Sequence, residues 1–139
     1  MTTPGALNRP GGLRLGTRLR ARTAVTAAKL LALLPPRRIR TVLHLLRRGA
    51  RPATAAETQR ARDAAEAVSL SCAGPRGCLP RSLATTLLCR WSGYWPTWCV
   101  GVRIVPPFGA HAWVEADGEL VGEQVPATYF SRLITVPPR

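Results

Sequence analysis

Acidic residues are scarce in this chain, and so are the groups that build metal sites. Its 139 residues carry seven Asp+Glu against twenty Lys+Arg, a formal charge of +13. Only two histidines are present, His44 and His111. The four cysteines, Cys72, Cys78, Cys89 and Cys99, form no C-x-x-C pair and match no zinc-ribbon or zinc-finger spacing. No metal centre is expected. A long apolar run is missing too. Thr23–Leu34 has the look of a secretory h-region, but Lys29 interrupts it. Pro35-Pro36-Arg37-Arg38 follows, where a small-residue cleavage site would be needed. The segment is also far shorter than the ~20 residues that span a bilayer. The cysteines are therefore read as free thiols in a reducing, cytoplasmic setting, not as a disulfide framework. No internal repeat is visible.

What is present is enough for one domain. The mass is 15.0 kDa and 46% of the residues are hydrophobic, so a core can form. The cations are nearly all arginine and concentrate before Pro52: Arg14, Arg18, Arg20, Arg22, Arg37, Arg38, Arg40, Arg47, Arg48 and Arg51. Such a surplus fits phosphate neutralisation, attraction to an acidic peptide, protein or membrane surface, or a solvated arginine-rich surface. No RNA-binding or helix-turn-helix signature accompanies it, so specific nucleic-acid binding is not expected.

Residues 1–16, rich in Gly, Pro, Thr and Arg, are expected to be loosely ordered. Arg18–Leu34 has helical periodicity through Val25, Ala28, Leu31 and Ala32, and Pro35-Pro36 stops it. Ile39–Arg48 reads as a second short helix ending at Gly49. Thr54-Ala55-Ala56-Glu57 fits a capping box for a third. After the loop Gly74–Gly77, Cys78 precedes a helix that opens at Leu79-Pro80 and buries Leu79, Leu83, Ala84, Leu87 and Leu88. Beyond Pro96 the period changes to two. Trp98, Val100, Val102 and Ile104 mark a strand; Ala110–Ala116 marks another; Asp117-Gly118 signals a hairpin; Glu119–Val125 is the returning strand. One more short element is expected before Pro137-Pro138. The fold class is α+β, helices followed by an antiparallel sheet. Residues 1–52 form a basic N-terminal segment whose two short helices pack on a core of residues 53–139.

Cys78 stands where a thiol ionises most easily. A helix start supplies unpaired amides and positive potential, and Arg76 and Arg81 are adjacent. Thiol chemistry needs a base, and His111, opening a strand after a Pro/Gly-rich loop, is the better placed histidine. By themselves these residues fit equally a structural cysteine at a helix start and a satisfied sheet histidine. His44 lies in a basic, leucine-rich helix and reads as a packing or surface residue. Arg103 and Glu115 read as a cross-strand charge pair on the surface.

Two long blocks of residues and two short ones carry a resemblance. Gly77-Cys78-Leu79-Pro80-Arg81-Ser82-Leu83-Ala84 is the first. Pro107-Phe108-Gly109-Ala110-His111-Ala112-Trp113-Val114-Glu115-Ala116-Asp117-Gly118 is the second, with Gly101-Val102-Arg103 before it and Val121-Gly122-Glu123 after it. In this order, over roughly residues 50–136, they resemble the lasso-peptide B protein, in particular the stand-alone protease half of a split B protein. The resemblance implies a transglutaminase-like, papain-like cysteine peptidase core. It implies removal of the leader from a lasso-peptide precursor, with a separate leader-recognition protein and an ATP-dependent cyclase as partners, and no cofactor or metal for proteolysis. It makes Cys78 the nucleophile and His111 the base. The family pattern places an acidic residue, commonly Asp, on the strand after the histidine, where this chain has Glu123. Trp95, Trp98 and Trp113 are either packing residues or a wall for the substrate near the cut.

Hairpin register bears on the third residue. A two-residue loop, Asp117-Gly118, pairs Ala116 with Glu119, sets His111 opposite Gln124 and turns Glu123 to the other face. A three-residue loop, Ala116-Asp117-Gly118, pairs Glu115 with Glu119 and sets His111 opposite Glu123. The three-residue loop is expected, with Gln124 as the reserve partner. The same cysteine and histidine would also serve another transglutaminase-fold acyl transferase or amidase. A non-catalytic basic peptide- or nucleic-acid-binding module is the alternative outside enzymes.

Overall fold

The structure, a computed structural model, describes residues 14–74 and 76–139. Helix α1 (Leu15–Leu31) buries Ala21, Ala24, Val25 and Ala28 along one face. It begins a turn earlier than its apolar pattern suggests and takes in Leu15 and Gly16; residues 1–13 of the segment expected to be loose lie outside the described residues. Leu33 and Leu34 close a turn instead of extending the helix, their amides bonding Leu30 O and Leu31 O. Helix α2 (Pro36–Leu46) starts at Pro36, not Ile39, because proline at the first helical position loses no hydrogen bond. Its buried residues are Ile39 and Leu43.

Strand β1 (Arg51–Pro52) leads into helix α3 (Ala55–Val68). The capping box at its start is complete: Glu57 N donates to Thr54 Oγ1 at 3.1 Å, and Thr54 N donates to Glu57 Oε1 at 2.9 Å. A bond from Arg51, then the bond from Thr54, hold the Glu57 carboxyl down at about 2. The short helix α4 (Leu70–Ala73) and the loop before Cys78 follow, then helix α5 (Cys78–Trp91).

Helix α5 is buried on more than the apolar stripe its sequence shows. Leu83 and Ala84 are fully buried, Leu79, Leu87 and Leu88 only partly, while Ser82, Thr85, Thr86 and Cys89 are buried as well. Their hydroxyls bond back to the helix: Ser82 to Leu79 O, Thr85 to Arg81 O and Thr86 to Ser82 O, at 2.8–2.9 Å. Satisfied internally, these side chains can face other elements without a desolvation penalty.

Strand β2 (Tyr94–Trp95) pairs in parallel with β1. Strands β3 (Thr97–Arg103), β4 (Gly109–Ala116), β5 (Glu119–Leu120) and β6 (Phe130–Val136) make an antiparallel sheet in the order β5-β4-β3-β6, with a one-turn 3-10 helix (Ala127–Tyr129) before β6. The seven-residue β6 is longer than the single short element expected there, and its partner β3 shifts register between Val100 and Gly101. Gly101 is required at this irregularity, since a Cβ there would run into Ser131 O. The core joins both halves of the chain: Val25, Ala28, Ile39 and Leu43 pack in one apolar cluster with Leu83, Trp95, Trp98, Val114 and Val136. Among the described residues no helix is long and apolar enough to cross a membrane.

Thr54→Ala removes the cap that organises the start of α3. A loss of about 1 kcal/mol of folding stability is expected, read from urea unfolding; an unchanged midpoint would show that the cap contributes nothing.

Candidate active site

Cys78 is the first residue of α5 and is half-buried. The turn before it is tight. A Cβ on Gly77 would collide with Ser71 O, so only glycine lets the α4 segment pass this close. Arg81, one turn into the helix, ties that loop down through Nη1, which donates to Cys72 O at 3.0 Å and Gly74 O at 3.4 Å.

The β4 strand brings His111 to the cysteine. The hydrogen bond with His111 is the largest influence on the Cys78 thiol and lowers its pKa below the ordinary 9.0; burial opposes it, and the Ala112 amide and Arg81 assist. On His111 the effect is reciprocal. Hydrogen bonds to Cys78 and then Glu123 push the imidazole up to about 9, against burial. A raised imidazole beside a lowered thiol favours the thiolate–imidazolium pair at neutral pH.

Glu123 lies 2.7 Å from His111 Nε2 through Oε1. The expected three-residue hairpin loop is not what delivers it. Ala116 pairs with Glu119 and Glu115 with Leu120, so the loop is the two-residue Asp117-Gly118, both residues in the left-handed region at φ 54° and 76°. In an unbroken strand that register would turn Glu123 away. The returning strand, however, does not run to Val125; it ends at Leu120. Val121 N still bonds Val114 O at 2.9 Å, and Gly122 then takes φ 77°, which reverses the alternation and brings Glu123 onto His111. Asp117 explains the tighter turn: its Oδ2 accepts the Ala55 amide at 2.7 Å, anchoring the hairpin to the start of α3. Gln124 is exposed and lines the neighbouring cavity.

The tryptophans divide. Trp95 and Trp98 are completely buried and cannot wall a substrate site. Trp95 Nε1 donates to Val136 O at 3.1 Å and Trp98 Nε1 to Ser82 Oγ at 3.0 Å, so both are spent on the core. Trp113 is 2% exposed and also makes no substrate wall, but it touches the site from behind. Its ring stacks on Phe130 at 4.8 Å between centroids, and Phe130 stacks on His111 at 5.0 Å. Glu115 fixes the indole, accepting Trp113 Nε1 at 2.8 Å. Arg132, not Arg103, is the partner of Glu115, with Nη2 at 2.7 Å. Arg103 pairs with Gly109 across the sheet while Thr97 faces Glu115, and its Nε caps Val105 O at 2.9 Å. Phe130 was not legible as a site residue, because nothing in the sequence shows that β6 lies beside β3 near His111.

The other thiols are inert by burial. All four cysteines are free; Cys72, Cys89 and Cys99 are at most 1% exposed. Burial raises Cys89 and Cys99 to about 12. His44 is lowered, chiefly by burial and then by the neighbouring charges of Arg47 and Arg40. No group of three His, Cys, Asp or Glu side chains among the described residues could hold a metal ion.

Alkylation by iodoacetamide therefore labels Cys78 alone in the folded protein, with a rate that rises through a midpoint below 9.0. In His111→Ala the largest lowering influence is gone while burial remains, so the midpoint moves up. A midpoint unmoved by that change, measured by peptide mapping across pH, would break the pairing.

Chemically the arrangement offers a nucleophilic thiolate at a helix start, an imidazole that can take and return a proton, and a carboxylate that holds the imidazole. No curated protein and no solved structure gives a significant match to the chain. The profile of the transglutaminase-like superfamily matches residues 21–135, which include the larger part of α1 and Cys78, His111 and Glu123. The chain belongs to the transglutaminase-like superfamily.

Proposed function

We propose that this protein is a cysteine peptidase that removes the leader from a lasso-peptide precursor, working with a separate leader-recognition protein and an ATP-dependent cyclase. The observation that carries the peptidase reading is the His111–Glu123 pair, 2.7 Å apart, with the Cys78 thiol at a helix start lowered chiefly by His111. The C-L-x-R-S-L-A and H-A-W-V-E-x-D-G blocks, in that order, support the narrower assignment.

The reaction follows from the groups present. The Cys78 thiolate attacks the scissile carbonyl carbon and forms an S–C bond. The carbonyl electrons move to oxygen, where the backbone N–H of Cys78, free of a helical partner in the first turn, can donate. Collapse breaks the C–N bond, and His111 gives its proton to the leaving amine. His111 then takes a proton from water, which attacks the acyl-enzyme and releases the acid and the Cys78 thiol. Glu123 keeps His111 in one orientation and stabilises its charged form. The stacked Phe130 and Trp113 limit the ring's movement.

The superfamily also fits acyl transfer through the same acyl-enzyme. There an amine replaces water, and the product is an amide in place of a free acid.

Mass spectrometry of a cognate precursor incubated with its recognition protein distinguishes these outcomes. Wild type is expected to release the leader as a free acid, and folded Cys78→Ala and His111→Ala to lose at least about 10³-fold in rate. Cleavage retained by Cys78→Ala would remove the nucleophile, and an amide or isopeptide product would assign acyl transfer. The kcat/KM profile is expected to be a bell. Its acid limb follows the lowered Cys78 thiol, and its alkaline limb, where the imidazolium is lost, lies near 9. Glu123→Gln removes a charge that holds the proton on His111, so the alkaline limb shifts to lower pH. A limb that stays in place would deny Glu123 its role.

A further inference from the structure

We propose that the cavity beside His111 accepts an anionic group of the substrate, the side-chain carboxylate of an acidic peptide residue held next to the scissile acyl group. The proposal rests on the thiol chemistry assigned to Cys78 and adds the substrate's charge to it. The cavity, about 730 Å³, is bordered by His111 and Glu123 and lined by three guanidinium groups, Arg62, Arg81 and Arg103. Glu123 is the one carboxylate among its described lining residues, and His111 already occupies it.

The arginines are held in place mostly by groups that do not neutralise them. Arg103 uses Nε on Val105 O at 2.9 Å and Nη2 on Pro106 O at 3.4 Å, and lies over the Tyr129 ring at 5.3 Å. Carbonyl oxygens and a ring face orient a guanidinium but leave its full charge. Arg81 spends Nη1 on the carbonyls of Cys72 and Gly74. Glu66 serves two of the three, 3.4 Å from Arg62 Nη1 and 4.0 Å from Arg81 Nη1. Counting Glu66, the thiolate and the His111–Glu123 pair, the cavity stays positive. Low-dielectric walls concentrate such a field on an entering anion. The Phe108 ring, 73% exposed at the rim, and Val125 offer apolar surface to the methylenes of an acidic side chain.

Charged and neutral reagents of equal reach test this without a known precursor. Cys78 is alkylated with iodoacetate and with iodoacetamide, and the ratio of the two rates is compared between wild type, Arg103→Gln and Arg103→Lys. The ratio is expected to fall roughly three- to tenfold in Arg103→Gln, to stay near wild type in Arg103→Lys, and in wild type to fall as sodium chloride is raised. Acetyl-Glu and acetyl-Gln chloromethyl ketones then place the charge on a side chain, and the Glu reagent is expected to inactivate faster by a similar factor. Ratios independent of both Arg103 and salt would overturn the anion site. Equal rates for the two ketones would overturn the side-chain carboxylate. Failure of every reagent to label Cys78 would instead remove the thiol reading, and this proposal with it.

Discussion

Helix α5 is the member on which the rest of the molecule is registered. It packs against α1 and α3 on one side and against β4 on the other. Its polar side chains, satisfied within the helix, allow burial on several faces at once. The buried bond from Trp98 Nε1 to Ser82 Oγ fixes where the helix sits on the sheet, because sliding would leave the indole N–H unpartnered in the core. Cys78 opens this helix and His111 lies on the strand against it, so the same packing sets the thiol–imidazole distance. The stability of the core and the geometry of the site are consequences of one helix–sheet contact.

The site also depends on a strand that stops. Glu119 and Leu120 pair with β4, and the chain then leaves the ladder through Gly122 in the left-handed region. A Cβ at Gly122 would stand 2.5 Å from Arg62 Nε, so the turn is compressed against α3 as well as inverted. A continuous strand in this register would present Gln124 to His111. The break moves the backbone so that the longer carboxylate of Glu123 reaches Nε2.

Charge is distributed to the same end. His111 lowers the Cys78 thiol, and Cys78 and Glu123 in turn raise the His111 imidazole. The arginines around the cavity are oriented by carbonyls and share a single further carboxylate, Glu66. Much of the basic surplus elsewhere lies on the exposed faces of α1 and α2, where water solvates it.

The amino-acid sequence by itself determined the order of elements, the capping box at Thr54 and the presence of the strands β3 and β4. These rest on local propensity and side-chain chemistry, which act over a few residues. It did not determine the hairpin register, because Asp117-Gly118 suits two loops and the choice came from Asp117 reaching Ala55, 62 positions away. Nor did it show that Trp95 and Trp98 are core, since an amphipathic aromatic fits a core or a rim equally. Phe130 over His111 and the arginines around the cavity were decided by tertiary structure alone. They come from separate segments, β6 and the 3-10 turn, α3, α5 and β3, whose juxtaposition depends on long-range packing that no short window of sequence contains.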